Sequence, residues 1–256
     1  MQLDSLSSPP RPSQLAEDRS PIGYETLRRM ATVPRYNAWI ARELTPHVGQ
    51  RVLEVGCGIG NMSDYFLERE LLVCMDMMPG HVEVIRRRYA HRANVVTYAG
   101  DITDPATITA LRAYCFDTVL CLNVLEHIAD ERTAVAHMYE LLRPGGCLLL
   151  FVPAGTYLYG TLDLALGHHR RYERNTLATL VHTAGFRIER LDYLNLAGML
   201  GWWLNSRVLG RHLLPEGQLR LFNRLAPFFI AVERLLRALW NVPLGQSLLC
   251  VARRSP

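Results

Sequence analysis

The 256-residue sequence has no Cys-x-x-Cys pair, no lysine-rich run and no apolar signal core at its start. The first absence removes zinc ribbons and dithiol redox chemistry; the six cysteines sit mostly in apolar segments and read as reduced, buried side chains of a cytoplasmic protein. The second removes the usual footprint of a nucleic-acid binder, because the basic residues are scattered arginines and the formal charge is only +4. Arginine suits fixed ion pairs and recognition of anionic groups. The third leaves residues 1–20, rich in Ser and Pro, as an expected disordered tail without a secretion signal. Residues 21–256 are expected to form one domain, with 49% hydrophobic residues to supply its core.

What is present is a strand-like alternation, Val52-Leu53-Glu54-Val55, running into Gly56-Cys57-Gly58-Ile59-Gly60. Glycines at alternate positions let the backbone turn sharply and a ligand come close. The dinucleotide fingerprint needs its third glycine one residue later, where Asn61 stands. Glu54 would also repel a phosphate and could pair with a cation. A helix over 60–69 is expected next, then an apolar strand ending in Asp76, followed by Met77. Asp76 lies about 20 residues past the turn, where a second strand of a doubly wound sheet returns to the same edge and a carboxylate can hold ribose hydroxyls.

Leu53-Glu54-Val55-Gly56-Cys57-Gly58-Ile59-Gly60 resembles the first motif of class I S-adenosylmethionine-dependent methyltransferases. Asn123-Val124-Leu125-Glu126-His127-Ile128, at the tip of an apolar strand, is a second match, and the turn before Cys147 is a third. The cofactor of that family is a sulfonium without phosphate, in agreement with Glu54 and the early Gly60. The resemblance implies a Rossmann-like, doubly wound α/β sheet of seven strands with the last antiparallel. It also implies cofactor contacts from Glu54, Gly56, Cys57, Gly58, Gly60, Asn61, Asp76, Met77, Asn123 and Val124, with Asp101 binding the adenine amine and Ile102 covering the ring. The tip lacks the Asn/Asp-Pro-Pro-Tyr/Phe sequence of many nucleobase-amine methyltransferases.

Polar and aromatic residues cluster after the fifth strand, in Tyr159 and in Gly167-His168-His169-Arg170-Arg171-Tyr172. The Gly-His-x-Arg-Arg-Tyr pattern resembles a subset of the family associated with surface-glycan or lipid-linked sugar metabolism. His127, with His168, His169 and Tyr172 behind it, is the candidate base for an acceptor proton. Arg170, Arg171, Tyr159 and Tyr36, the last on N-terminal helices within 21–50, are candidate acceptor contacts; internal pairing of the arginines with Asp163 or Glu126 is the alternative. No metal site is expected, since His168 and His169 are adjacent rather than four apart.

Residues 195–245 are expected to form a helical cap between strands 6 and 7. The stretch 196–214 is interrupted by Arg207, Arg211 and His212 and makes a poor membrane span. Leu221, Leu225, Phe228, Val232, Leu235, Leu236 and Leu239 share one helical face, arginines the other, and Pro227 is expected to kink or divide the helix. The apolar face suits a lid, a homodimer contact or a membrane surface. The leading expectation is methyl transfer to a small-molecule, sugar or lipid-linked acceptor, at oxygen. The alternatives are a nicotinamide-dependent oxidoreductase and a catalytically inactive cofactor-binding partner or membrane-associated scaffold.

Overall fold

The computed structural model describes residues 21–240 and 242–255; the expected disordered tail lies outside them. Helices α1 (Pro21–Met30) and α2 (Pro34–Leu44) come first, separated at Val33, where the proline that follows disfavours helical backbone. Strands and helices then alternate: β1 (Arg51–Val55), β2 (Leu71–Asp76), α3 (Pro79–Arg88), β3 (Val95–Ala99), α4 (Pro105–Leu111), β4 (Phe116–Leu122), α5 (Glu131–Leu141) and β5 (Leu142–Pro153). After β5 come α6 (Thr161–Leu166), α7 (Arg174–Thr183) and β6 (Phe186–Leu194), then α8 (Leu196–Trp203), α9 (Glu216–Leu239) and β7 (Ser247–Arg254).

The strands form one seven-stranded sheet in the order β3-β2-β1-β4-β5-β7-β6. β1 to β5 pair in parallel, whereas β7 runs antiparallel between β5 and β6, as expected. Because side chains alternate across a strand, each central strand feeds two cores. Val52, Leu72, Cys74 and Leu120 pack on the side covered by α2 and α3, while Leu53, Val73, Val119 and Leu148 pack with residues of α4, α5 and α7 on the other. Parallel strands buried on both faces read as continuous apolar runs, which is why β4 and β5 were prominent in the sequence.

Two local expectations fail. The helix over 60–69 is only a short 3-10 turn at Ser63–Phe66, so no row of free helical N–H groups faces the glycine loop. Pro227 does not divide α9, which runs as one 24-residue helix with the proline at an exposed position.

Candidate active site

At the end of β1 the chain turns through Gly56, Gly58 and Gly60, with φ of +70°, +53° and +88°. A Cβ at Gly56 would run into the Val124 methyls, and one at Gly60 would sit 2.7 Å from Ile85 Cδ1, so the loop is closed by contact as well as by dihedral preference. The N–H groups of Gly56 and Cys57 donate to the Met75 carbonyl at 2.7 and 2.9 Å, which holds the loop on β2. Asp76, at the tip of β2, accepts from the Gly58 N–H and the Met78 N–H, both at 2.9 Å. Each of its oxygens keeps acceptor capacity for a ligand hydroxyl. Met77 beside it is exposed.

Glu54 is placed differently from expectation. Only 4% exposed, it lies behind the loop, where Ser63 Oγ donates to it at 2.6 Å. Burial pushes its carboxyl up to about 7, against the opposing pull of Ser63. It therefore supports the loop rather than presenting a full negative charge to a ligand. Cys57 is likewise buried. Helix α1 covers the outer side: Leu27 lies over Gly58, and Asn61 Nδ2 donates to the Leu27 carbonyl at 2.9 Å.

Further along the strand tips, Asp101 is exposed and one of its oxygens takes the N–H and hydroxyl of Thr103, both at 2.8 Å. Ile102 departs from expectation. Its side chain is 3% exposed and belongs to the core, and its carbonyl meets His137 Nδ1 at 2.8 Å, so it has no free face to lay over a ring. Asn123 turns β4 out of the sheet with φ +53°, its N–H held by the Phe151 carbonyl at 2.7 Å. Val124 thus reaches Gly56. Asp76 and Asp101 make this cradle rich in acceptors, a chemistry that fits the hydroxyls and amine of an adenosyl group and repels a pyrophosphate.

The next turn carries Glu126 and His127. The ring of His127 stands edge-on to His168, with centroids 4.7 Å apart. His168 Nδ1 is fixed by Asp163 Oδ1 at 2.9 Å, leaving Nε2 4.0 Å from the Glu126 carboxylate. That carboxylate is 1% exposed and has no hydrogen-bond partner, and burial pushes it up to about 7. His127 keeps an exposed edge, yet the protein crowding its ring, followed by the nearby His168 and His169, holds it down to about 4. It is neutral at physiological pH, and a weaker base than a free imidazole. Glu126, His127 and His168 also offer ligand atoms within 4.8 Å of one another. Distance along the chain gave no hint of that set, because the fold brings the β4 tip and the loop after α6 together.

Asp163 is the anchor that sequence reasoning treated only as a salt-bridge partner. Fully buried, it takes His168 and Arg171 Nε on one oxygen, and Trp202 Nε1 at 3.1 Å and the Gly160 N–H at 3.0 Å on the other. Burial alone would raise its pKa, but the His168 hydrogen bond and the Arg171 charge outweigh it and hold the carboxyl below the usual range. Arg171 also lies over the Trp202 ring at 4.7 Å and donates to the Ala154 carbonyl at 2.8 Å. The local signal for Asp163 was its place in the first turn of a helix that follows Gly160.

Several candidates turn out to be framework. Arg171 is spent on Asp163, and Arg170 on Glu131 at 2.8 Å and the Ala129 carbonyl at 2.9 Å, so neither is free to grip an acceptor. Tyr172 is 2% exposed in the core, its hydroxyl donating to Glu131 at 2.5 Å; it is not a catalytic group. Tyr36 sits at the α2–α9 junction, edge-on to Trp39 and Phe222, away from the histidines. His169 is exposed, and its N–H donates to the Glu126 carbonyl at 2.8 Å. Tyr159 donates to the His168 carbonyl at 2.6 Å. A cavity of about 20 Å3, bounded by Thr26, Met30, Leu162, Leu166 and Trp202 among others, lies between α1, α6 and α8.

Comparison with known proteins agrees with this geometry. A family profile described as a methyltransferase domain matches residues 53–148. The ubiquinone biosynthesis O-methyltransferase of Xanthomonas campestris is 33% identical over 179 residues, covering 64% of this chain and 72% of that protein. The chain belongs to the class I S-adenosylmethionine-dependent methyltransferases. A tRNA N(3)-methylcytidine methyltransferase of Schizosaccharomyces pombe is 28% identical over 191 residues, covering 61% of this methyltransferase and 75% of its own length. In fold, the methyltransferase is similar to a SAM-dependent methyltransferase from Archaeoglobus fulgidus, with a TM-score of 0.57 and 15% identity over 85% of this chain and 94% of that one. The protein is thus an enzyme that uses S-adenosylmethionine, and the nicotinamide and inactive-scaffold alternatives fall.

Proposed function

We propose that this methyltransferase methylates a hydroxyl of a small-molecule, sugar or lipid-linked acceptor, with His127 as the proton acceptor. The carrying observation is a neutral His127 held against a buried His168–Asp163 pair and Glu126, three residues beyond the Val124 that touches the glycine loop. S-adenosylmethionine supplies a methyl already activated by its sulfonium. The chain's own work is then to orient: Asp76 would hold the ribose hydroxyls, Asp101 the adenine amine, and the turn from Gly56 to Asn61 with Asn123 and Val124 the methionine end. His127 would take the proton of the acceptor hydroxyl as that oxygen is methylated. Glu126, ionising near neutrality, offsets the positive charge left on the imidazoles.

The test is transfer of a labelled methyl from S-adenosylmethionine into fractions of a cell extract. Label in organic-soluble or small polar material, lost with His127→Ala, is the expected result. Label confined to RNA would replace the hydroxyl acceptor with a nucleobase.

A further inference from the structure

Helix α9 carries a long apolar stripe on its solvent side. Leu221, Leu225, Phe228, Val232, Leu235 and Leu239, spaced alternately four and three apart, share one face and are 39% to 64% exposed. Trp240, at the helix end, is 63% exposed. The stripe spans 19 residues, from Leu221 to Leu239, about 27 Å of helix. Soluble monomers rarely leave so much contiguous apolar surface bare.

The exposure is built in, because the helix cannot roll to hide it. Its opposite side is fixed: Leu219, Ala226 and Ile230 are buried, Ala226 and Ile230 in the same core as Trp39 of α2. Glu233, 4% exposed, accepts the N–H groups of Asn195 and Leu196 at 2.9 and 3.0 Å, pinning α9 to the start of α8.

Charge selects the occupant. Arg220, Arg224 and Arg234 are exposed along one edge of the stripe, and Arg224 and Arg234 make no ion pair among the described residues. The acids of the helix are Glu216, at its first residue and beside Arg220, and the buried Glu233. A second copy docking through its own α9 would therefore bring only Glu216, at the end of the helix, to meet the arginines. An anionic bilayer offers phosphates at the level of the arginines and acyl chains for the leucines and phenylalanine, with Trp240 suited to the boundary. No described helix is long and apolar enough to cross a membrane, so the contact would be with one leaflet.

We propose that α9 docks this methyltransferase on an anionic lipid surface, lying in the plane of the interface with the Leu221–Leu239 stripe inserted and the arginine edge on the headgroups. The proposal does not depend on which acceptor is methylated.

The test uses the full chain with vesicles of phosphatidylcholine alone and of phosphatidylcholine mixed with phosphatidylglycerol, read by co-sedimentation across salt concentrations. Wild type is expected to sediment with the anionic vesicles, less so at high salt. Leu225→Glu with Phe228→Glu, both exposed positions, is expected to cut partitioning at least ~10-fold. Arg224→Gln with Arg234→Gln is expected to abolish the preference for anionic vesicles. Unchanged thermal stabilisation by S-adenosylhomocysteine checks that each variant stays folded. The proposal is overturned if wild type ignores anionic vesicles, if the glutamate variant sediments as well as wild type, or if wild type forms a lipid-free dimer that the glutamate variant dissolves.

Discussion

Replacing Glu126 with glutamine should make the protein more stable at alkaline pH and barely change it at mildly acidic pH. The carboxyl is 1% exposed, without a hydrogen-bond partner, and is pushed up to about 7 from an ordinary value of 4.5. A folded-state pKa above the unfolded one favours folding at low pH, and the benefit is lost as pH rises through the folded value. Moving the carboxyl from 4.5 to about 7, at about 1.4 kcal/mol per pH unit, removes roughly 3 kcal/mol of stability between pH ~4 and ~8. Glutamine has nearly the same shape and cannot ionise, so it lacks this loss. Glu54 is raised in the same way and remains in both proteins as a shared background. Urea unfolding at a series of pH values, followed by tryptophan fluorescence, gives the difference directly. The two curves should nearly coincide near pH ~4 and separate by roughly 3 kcal/mol near pH ~8, with the variant the more stable. A constant offset across the range would mean that Glu126 is ionised in the fold or is paired in solution, and the account of a buried carboxyl raised toward neutrality would be wrong.

His127→Ala should lower kcat by ~100-fold or more with S-adenosylmethionine affinity unchanged, checked by single-turnover rates beside isothermal titration. Gly56→Ala should weaken S-adenosylhomocysteine binding and lower the melting temperature, because its Cβ meets Val124 at a φ of +70°; unaltered binding would show that the loop is not the cofactor cradle. Asp163→Asn should cost about 3–5 kcal/mol by leaving Arg171 buried without its counter-charge. Since Asp163 is held below the usual range, its stabilisation is present above the unfolded carboxyl value and vanishes as pH falls through the folded one, so wild type and variant should converge in acid unfolding experiments.

The donor half of this enzyme was legible because its demands are local. A turn at Gly56 to Gly60 needs glycines at fixed offsets, and Asp76 only has to end an apolar run, so the turn and the strand tip could be read one residue at a time. The alternation of strands and helices pointed to a parallel sheet, and the resemblance supplied its antiparallel last strand. Burial was not legible. Glu54, Ile102 and Tyr172 have residue types that suit a ligand, and their sequence neighbours gave no sign that each side chain turns into the core or behind the loop. The missing helix after Gly60 is of the same kind: Ser63 bonds Glu54, and the polar contact pins the segment at one short turn.

The histidine–acid cluster is the opposite case, where the residues were named but their relation was not. Glu126 and His168 are 42 positions apart by their numbers, and what joins them is the backbone between α6 and α7. The His169 N–H donates to the Glu126 carbonyl and the Tyr172 N–H to that of Pro153, each within 2.9 Å, so the loop is sewn to the ends of β4 and β5. Arg171 reaches under Trp202 to Asp163, and Asp163 in turn orients His168. The arginines thus act through geometry: their charge is consumed in fixing a loop whose product is one histidine nitrogen aimed at an unpartnered carboxylate. On the proposed reading, a hydroxyl meeting His127 would find Arg170 and Arg171 already paired, which favours a neutral acceptor over a phosphorylated one. A phosphate monoester added to the acceptor should therefore raise KM rather than lower it.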